Sequence, residues 1–183
     1  SPNPNFFGSD SFVVSITDDL NTSTASTISL SVSAVDDTTS ITGDTNASIA
    51  EDSNASGDLN ATDADGLTDG SYFSVSTPPA NGSAFIDPVD GNWTYSPNPN
   101  FFGSDTFIVS VTDDLNTSST SIVSLSVSAV DDATSISGDT DASIAEDSTA
   151  SGDLNATDAD GLTDGSYFSI SSAPSNGSAS IDP

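Results

Sequence analysis

Near-copies of one unit run the length of this chain. Ser1-Pro2-Asn3-Pro4-Asn5-Phe6-Phe7-Gly8-Ser9-Asp10 returns as residues 96–105, and Ile86-Asp87-Pro88 returns as Ile181-Asp182-Pro183. Residues 1–88 and 96–183 are identical at 72 of 88 positions, a period of 95 residues. Near-identity at that spacing predicts a tandem array of one small domain, with function residing in the array and its junctions.

Within the unit the apolar period is 2, not 3.6. Asp10-Ser11-Phe12-Val13-Val14-Ser15-Ile16 and Ile28-Ser29-Leu30-Ser31-Val32-Ser33-Ala34-Val35 alternate apolar with Ser or Thr, and both recur 95 residues later. Shorter strands are expected at Ile49-Ala50, Leu59-Ala61, Tyr72-Val75, Ala84-Ile86 and Asn92-Tyr95, separated by Gly, Pro, Asn and Asp. No window carries an amphipathic helix. About seven strands in roughly 95 residues is the size of an immunoglobulin-like sandwich, so the fold class is all-β. The expected core of the complete domain is Ile41, Ile49, Leu59, Phe73, Val75, Ile86, Trp93, Tyr95, Phe102, Phe107, Val109, Val111, Val123, Leu125 and Val127.

Boundaries are expected at Val35-Asp36-Asp37 and its copy Val130-Asp131-Asp132, where a strong strand ends and a Ser/Thr-rich stretch begins. Residues 38–130 are then one complete repeat, 36–37 and 131–132 are linkers, 1–35 closes a preceding repeat, and 133–183 opens a following one. A start in mid-repeat without Met leads us to expect a segment of a longer chain. Two full periods exceed the chain by the equivalent of Val89 to Tyr95. Either the chain is a window on a continuous polymer of repeats, or the ends of separate subunits complete each other by strand addition.

Composition narrows the partners. The chain holds 26 Asp and 2 Glu but no Lys, Arg, His, Cys or Met, for a formal charge of -28. That charge excludes electrostatic binding to nucleic acid or anionic lipid, and the implied partners are cations. No disulfide framework is available, and no apolar run approaches the roughly 18 residues of a membrane span. The preference for Asp over Glu suits turns and hard cations better than a merely solvated surface does. Without His, Cys or Lys a Ser hydroxyl has no ordinary activating partner, so an enzyme is not expected. Carboxylates repeated in every copy fit structural ligands better than one active site. The Asn-x-Ser/Thr sequons are those expected of a chain rich in Asn, Ser and Thr, and Trp93 and Phe101-Phe102 are read as core rather than a sugar platform. Pro97-Asn98-Pro99 is read as a turn entering a strand.

The most specific chemical signal is Leu59-Asn60-Ala61-Thr62-Asp63-Ala64-Asp65-Gly66, repeated at residues 154–161. Two carboxylates two residues apart on a turning backbone can address one hard cation, which takes six to eight oxygens at about 2.3–2.6 Å. The same spacing also makes an ordinary Asx-turn. Further acids recur where one cation could use them: Glu51-Asp52 and Glu146-Asp147, Asp36-Asp37 and Asp131-Asp132, Asp18-Asp19 and Asp113-Asp114.

This set resembles the calcium sites of cadherin repeats, in which an early Glu, an Asp-x-Asp-x-Gly turn, a strand-end Asp and a linker acid pair converge at each junction. The run from Trp93 to Phe107, with Asp113 after it, resembles the cadherin-like tandem repeats of large bacterial surface and secreted adhesins, including the VCBS type. Val-Asp-Asp stands where vertebrate cadherins have an Asp-x-Asn-Asp-Asn linker. The resemblance implies a calcium-stiffened extracellular rod of β-sandwiches. By position, it implies one Ca²⁺ junction from Glu51, Asp131, Asp132, Asp158 and Asp160, with Asp52 and Asp164 secondary. It implies another from Asp36, Asp37, Asp63, Asp65 and Asp113, with Asp69 and Asp114 secondary. Expected partners are calcium ions and neighbouring repeats or identical subunits in a fibre. The alternative function is an adhesive module for carbohydrate or another cell surface, which near-identity between copies disfavours because recognition uses divergent loops.

Overall fold

Small polar side chains alternating with Phe, Val, Leu and Ile give each strand one face that must leave water and one that need not. In the computed structural model, which describes the whole chain except residues 69, 163, 164, 166 and 183, this pattern folds into strands with no helix among the described residues. They are β1 (Gly8–Thr17), β2 (Ser23–Val32), β3 (Ser40–Gly43), β4 (Asn46–Ala50), β5 (Ala55–Thr62), β6 (Phe73–Thr77), β7 (Gly82–Ile86), β8 (Asn92–Pro97), β9 (Gly103–Thr112), β10 (Ser118–Ser128), β11 (Ser135–Gly138) and β12 (Leu154–Thr157).

Strands β3 to β10 form a sandwich of two four-stranded sheets, ordered β4-β10-β9-β6 and β3-β5-β8-β7. The chain changes sheet between β3 and β4, and β4 then pairs parallel to β10, Asn46 opposite Ser124 and Ala50 opposite Ser128. The remaining pairs are antiparallel. Sequence reading identified about seven strands per repeat. The eighth is β3, whose four residues Ser40-Ile41-Thr42-Gly43 are too short to show a period.

The core lies between the sheets. Leu59, Trp93, Tyr95, Phe107, Val109, Val111 and Val123 are fully buried, with Ala55, Phe73, Ile86, Leu125 and Val127 nearly so. Ile41, Ile49 and Val75 are half-buried and pack against this cluster. Phe102 departs from expectation, since it is 49% exposed while Phe101 packs on the core instead. The cause is the preceding turn, closed by Phe101 N–H donating to Asn98 O at 3.1 Å with Asn100 at φ 57°. Once the turn commits Phe101 inward, pleating sends Phe102 out.

The hairpin β1–β2 repeats β9–β10 in register, Gly8 opposite Val32 as Gly103 is opposite Val127. Its inward-type residues Phe12, Val14 and Ile16 are exposed, whereas their counterparts Phe107, Val109 and Val111 are buried under the facing sheet. Likewise β11–β12 repeats β3–β5.

One acid lies inside the sandwich. Asp105, 6% exposed, has the parity of Phe107, Val109 and Val111 on β9 and so faces inward. Its Oδ1 accepts from Ala80 N–H at 3.1 Å and Thr106 N–H at 2.9 Å, and its Oδ2 from Asn81 N–H at 2.8 Å and the Tyr95 hydroxyl at 3.1 Å. This clasp ties the β6–β7 loop to β8 and β9. Burial, then the Asp105 hydrogen bond and charge, push the Tyr95 hydroxyl up from 10.0 to about 12. A raised folded value favours the protonated form, so this contribution is complete below pH 10 and is lost as pH rises to about 12. We expect denaturant midpoints to fall over that interval more steeply for the wild type than for Tyr95→Phe. Parallel slopes would show that the hydroxyl is not coupled to folding.

Candidate metal centres at the repeat junctions

At the end of β5 the chain turns through Asp63-Ala64-Asp65-Gly66. Asp65 N–H donates to Asp63 Oδ1 at 2.8 Å, the local bond that favours Asp in such turns. The linker docks on the same turn: Asp37 N–H donates to Asp65 Oδ2 at 2.6 Å, and the buried Thr39 hydroxyl donates to Asp63 Oδ2 at 2.7 Å. Asp114 N–H donates to Gly66 O at 3.1 Å, which brings the β9–β10 turn alongside. Gly66 is required here, since its φ is 109° and a Cβ would stand 2.6 Å from Asp114 Oδ2. Asp114 is otherwise a clamp, accepting from Thr68 N–H and hydroxyl at 2.9 and 2.6 Å.

Asp113 is 2% exposed. Its Oδ1 accepts from Leu115 N–H and Thr117 N–H, both at 2.9 Å, which closes the hairpin turn. Its Oδ2 is buried with no hydrogen-bond partner.

The second junction repeats the geometry. Asp160 N–H donates to Asp158 Oδ1 at 2.9 Å, Asp132 N–H to Asp160 Oδ2 at 2.8 Å, and the Thr134 hydroxyl to Asp158 Oδ2 at 2.7 Å. Here the preceding repeat also contributes. Glu51, just after β4 and 3% exposed, accepts from Val130 N–H at 2.5 Å through Oε1, while Oε2 is buried without a partner. Asp132 Oδ2 is buried and unpartnered too. Burial raises the Asp132 carboxyl above the usual range, and the charges of Asp160, Asp52, Glu51 and Asp158 raise it further. Five carboxylates thus share one field at this junction.

Of the residues singled out from sequence, the fold therefore joins Asp37, Asp63 and Asp65, with Asp113 on the adjoining turn. It also joins Asp132, Asp158 and Asp160, with Glu51 and Asp52 beside them. Asp36 and Asp131 remain exposed at the linker surface. Asp69 and Asp164 lie outside the described residues. Among the described residues, no three of these carboxylates close tightly enough to hold an ion as they stand. Thr39, Thr134 and Asp105 escaped sequence reasoning. The two threonines recur at the 95-residue spacing two positions after each linker pair, and Asp105 shares the parity of the apolar face of β9, so both signals were present.

Carboxylate oxygens on a turn, a linker and a strand end are hard donors, and the unpartnered oxygens of Glu51, Asp113 and Asp132 are groups a buried site ordinarily satisfies. The chain offers no Lys, Arg or His to do so. By donor type the junctions gather hard oxygens of the kind divalent cations take, although among the described residues no three of them close around an ion.

The chain is similar in structure to the surface-layer protein SbsC, domains 1–6, at 16% identity and TM-score 0.39, covering 82% of this chain and 28% of that one. It is similar also to the S-layer protein rSbsC at 15% identity and TM-score 0.35, covering 70% and 21%. It spans less than a third of either chain's length. No curated protein sequence matches. The profile of the bacterial cadherin-like domain matches residues 31–129, which is more than half of the chain and takes in the whole sandwich from β3 to β10. The chain belongs to the bacterial cadherin-like domains.

Proposed function

We propose that this chain is a structural segment of a long extracellular fibre or adhesin stalk on a bacterial surface, stiffened by Ca²⁺ at the junctions between repeats. The observation that carries the reading is the second junction. Glu51 and Asp132 each bury an unpartnered carboxylate oxygen in the field of three further acids, in a chain without one basic side chain.

A bound Ca²⁺ supplies the positive charge that this set lacks. Glu51, Asp131, Asp132, Asp158 and Asp160 would hold it at one junction, and Asp36, Asp37, Asp63, Asp65 and Asp113 at the other. The protein's part is to bring acids from three places to one point: a strand end of one repeat, the linker, and the Asp-x-Asp turn of the next. Without the cation they repel, and the linker bends to separate them. With it the two repeats are held in line. Repetition then makes length, because each unit contributes the same rigid sandwich.

Calcium titration of the 183-residue chain by calorimetry, with melting curves and small-angle scattering with and without chelator, tests this. Saturable binding, a raised melting temperature and a longer, straighter particle are expected. Absence of binding at millimolar Ca²⁺, with shape and stability unchanged, would return the acids to a solvating role.

A further inference from the structure

Two Asn-Gly steps occur in this chain, Asn81-Gly82 and Asn176-Gly177, one repeat apart and both followed by Ser-Ala. In such a step the side-chain carbonyl carbon of Asn lies within ring-closing reach of the next backbone nitrogen, and Gly, having no Cβ, leaves that approach open. The same dipeptide meets two different surroundings here.

In the complete sandwich Asn81 is pinned on both sides. Its N–H donates to Asp105 Oδ2 at 2.8 Å, and its carbonyl accepts from Asn98 N–H at 2.8 Å and from the Tyr95 hydroxyl at 3.4 Å. That carbonyl belongs to the planar peptide unit that carries the Gly82 nitrogen, so holding the oxygen also holds the nucleophile. Gly82 opens β7 opposite Pro97, with the Ser96 carbonyl so near that a Cβ would stand 2.5 Å from it. The unit cannot rotate toward the Asn81 side chain without first breaking these contacts.

Asn176 has none of them. It is exposed in a turn, residues 172–180 enter no strand, and among the described residues no backbone hydrogen bond holds 175–177. A Cβ on Gly177 would meet nothing within 4 Å.

From this contrast we infer that Asn176-Gly177 is a site of spontaneous deamidation, and that the Asp105 clasp and the β7–β8 pairing shield the same step at Asn81. The Gly177 nitrogen gives its proton to solvent base and attacks Asn176 Cγ. A bond from that nitrogen to Cγ forms, the Cγ–Nδ2 bond breaks, and Nδ2 leaves as ammonia after taking a proton from water. Water then opens the resulting succinimide at either carbonyl, giving aspartate or isoaspartate. One water is consumed and one ammonia released, with nothing oxidised or reduced. Isoaspartate inserts a methylene into the main chain between the N–H and the carbonyl, the two groups gripped at Asn81, so a loop modified before its repeat closes no longer matches the clasp. The inference does not rest on the calcium reading.

Mass spectrometry of the aged 183-residue chain tests this. A glutamyl endoprotease cuts after Glu51 and Glu146, which places Asn81 and Asn176 on different fragments. In mildly alkaline native buffer, the 147–183 fragment is expected to gain a single mass unit at Asn176 about tenfold faster, or more, than the 52–146 fragment does at Asn81, because the shielded step reacts only through local opening. In concentrated denaturant the two rates are expected to converge. Gly177→Ala, whose added methyl the open surroundings accept, is expected to slow the reaction at Asn176 about tenfold by obstructing ring closure. Equal rates in native buffer, or a rate at Asn176 that Gly177→Ala leaves unchanged, would overturn the inference. Rates that stay apart in denaturant would overturn the shielding, since the flanking residues rather than the fold would then set the difference.

Discussion

Trp93→Ala lowers the stability of the sandwich by about 3–5 kcal/mol, the largest loss expected of any single truncation here. Trp93 is 1% exposed, packs edge-on against Phe107 with ring centroids 5.6 Å apart, and donates its indole N–H to Asp44 O at 3.0 Å. The indole thereby joins β8, β9 and the passage from β3 to β4, where the chain changes sheet. The backbone is shaped to admit it: a Cβ on Gly57, opposite Trp93 in the β5–β8 ladder, would stand 2.5 Å from the indole. Truncation leaves a void that the flanking strands cannot close and an unpaired carbonyl at Asp44. Against a total stability of roughly 5–15 kcal/mol, the variant is largely unfolded at moderate denaturant. Because Trp93 is the only Trp, the unfolding curve should be followed by far-ultraviolet circular dichroism rather than fluorescence. A loss below about 1 kcal/mol would show that the core can re-form around the gap.

The second large effect is expected at Asp105. Replacement by Ala removes one acceptor group from four donors at once, leaving the N–H groups of Ala80 and Asn81 short of an acceptor and the buried Tyr95 hydroxyl with only the Asn81 carbonyl at 3.4 Å. Each buried donor left without an acceptor costs about 1–3 kcal/mol. Asp105→Asn is expected to fall between wild type and Ala, since one oxygen remains while the amide NH₂ faces the Asn81 N–H as donor against donor. Denaturant midpoints of the two variants check the order, and Asn as damaging as Ala would mean that shape contributes nothing. The clasp is notable for having no cation in it. With no Lys or Arg in the chain, a carboxylate can be buried only by converging N–H and O–H groups on it, as here, or by an ion from outside, as proposed at the junctions.

These two kinds of buried acid show where sequence reasoning succeeds and where it stops. Alternation over residues 10–16 and 28–35 marked β1 and β2, and through their copies β9 and β10, because long strands with one buried face print their period directly. The four-residue β3 prints none. Parallel pairing of β4 with β10 has no local signature, since it joins residues 78 apart, such as Ala50 and Ser128. The Asp-x-Asp-Gly turns were legible because their hydrogen bonds close within two residues. Asp105 was missed because its partners, Ala80 and Asn81, lie across a loop.

What this chain's sequence determines by itself is everything local or repeated: the 95-residue unit, the all-β class, the Asp turns, and a charge that only cations can balance. Those follow from nearest neighbours along the backbone and from composition, which need no long-range contact to be expressed. What the tertiary structure decided is which acids keep company. Sheet pairing and the change of sheet after β3 carry Glu51 to Val130, and the pairing of β11 with β12 carries Asp132 to Asp160, closures whose entropy cost only the paired strands offset.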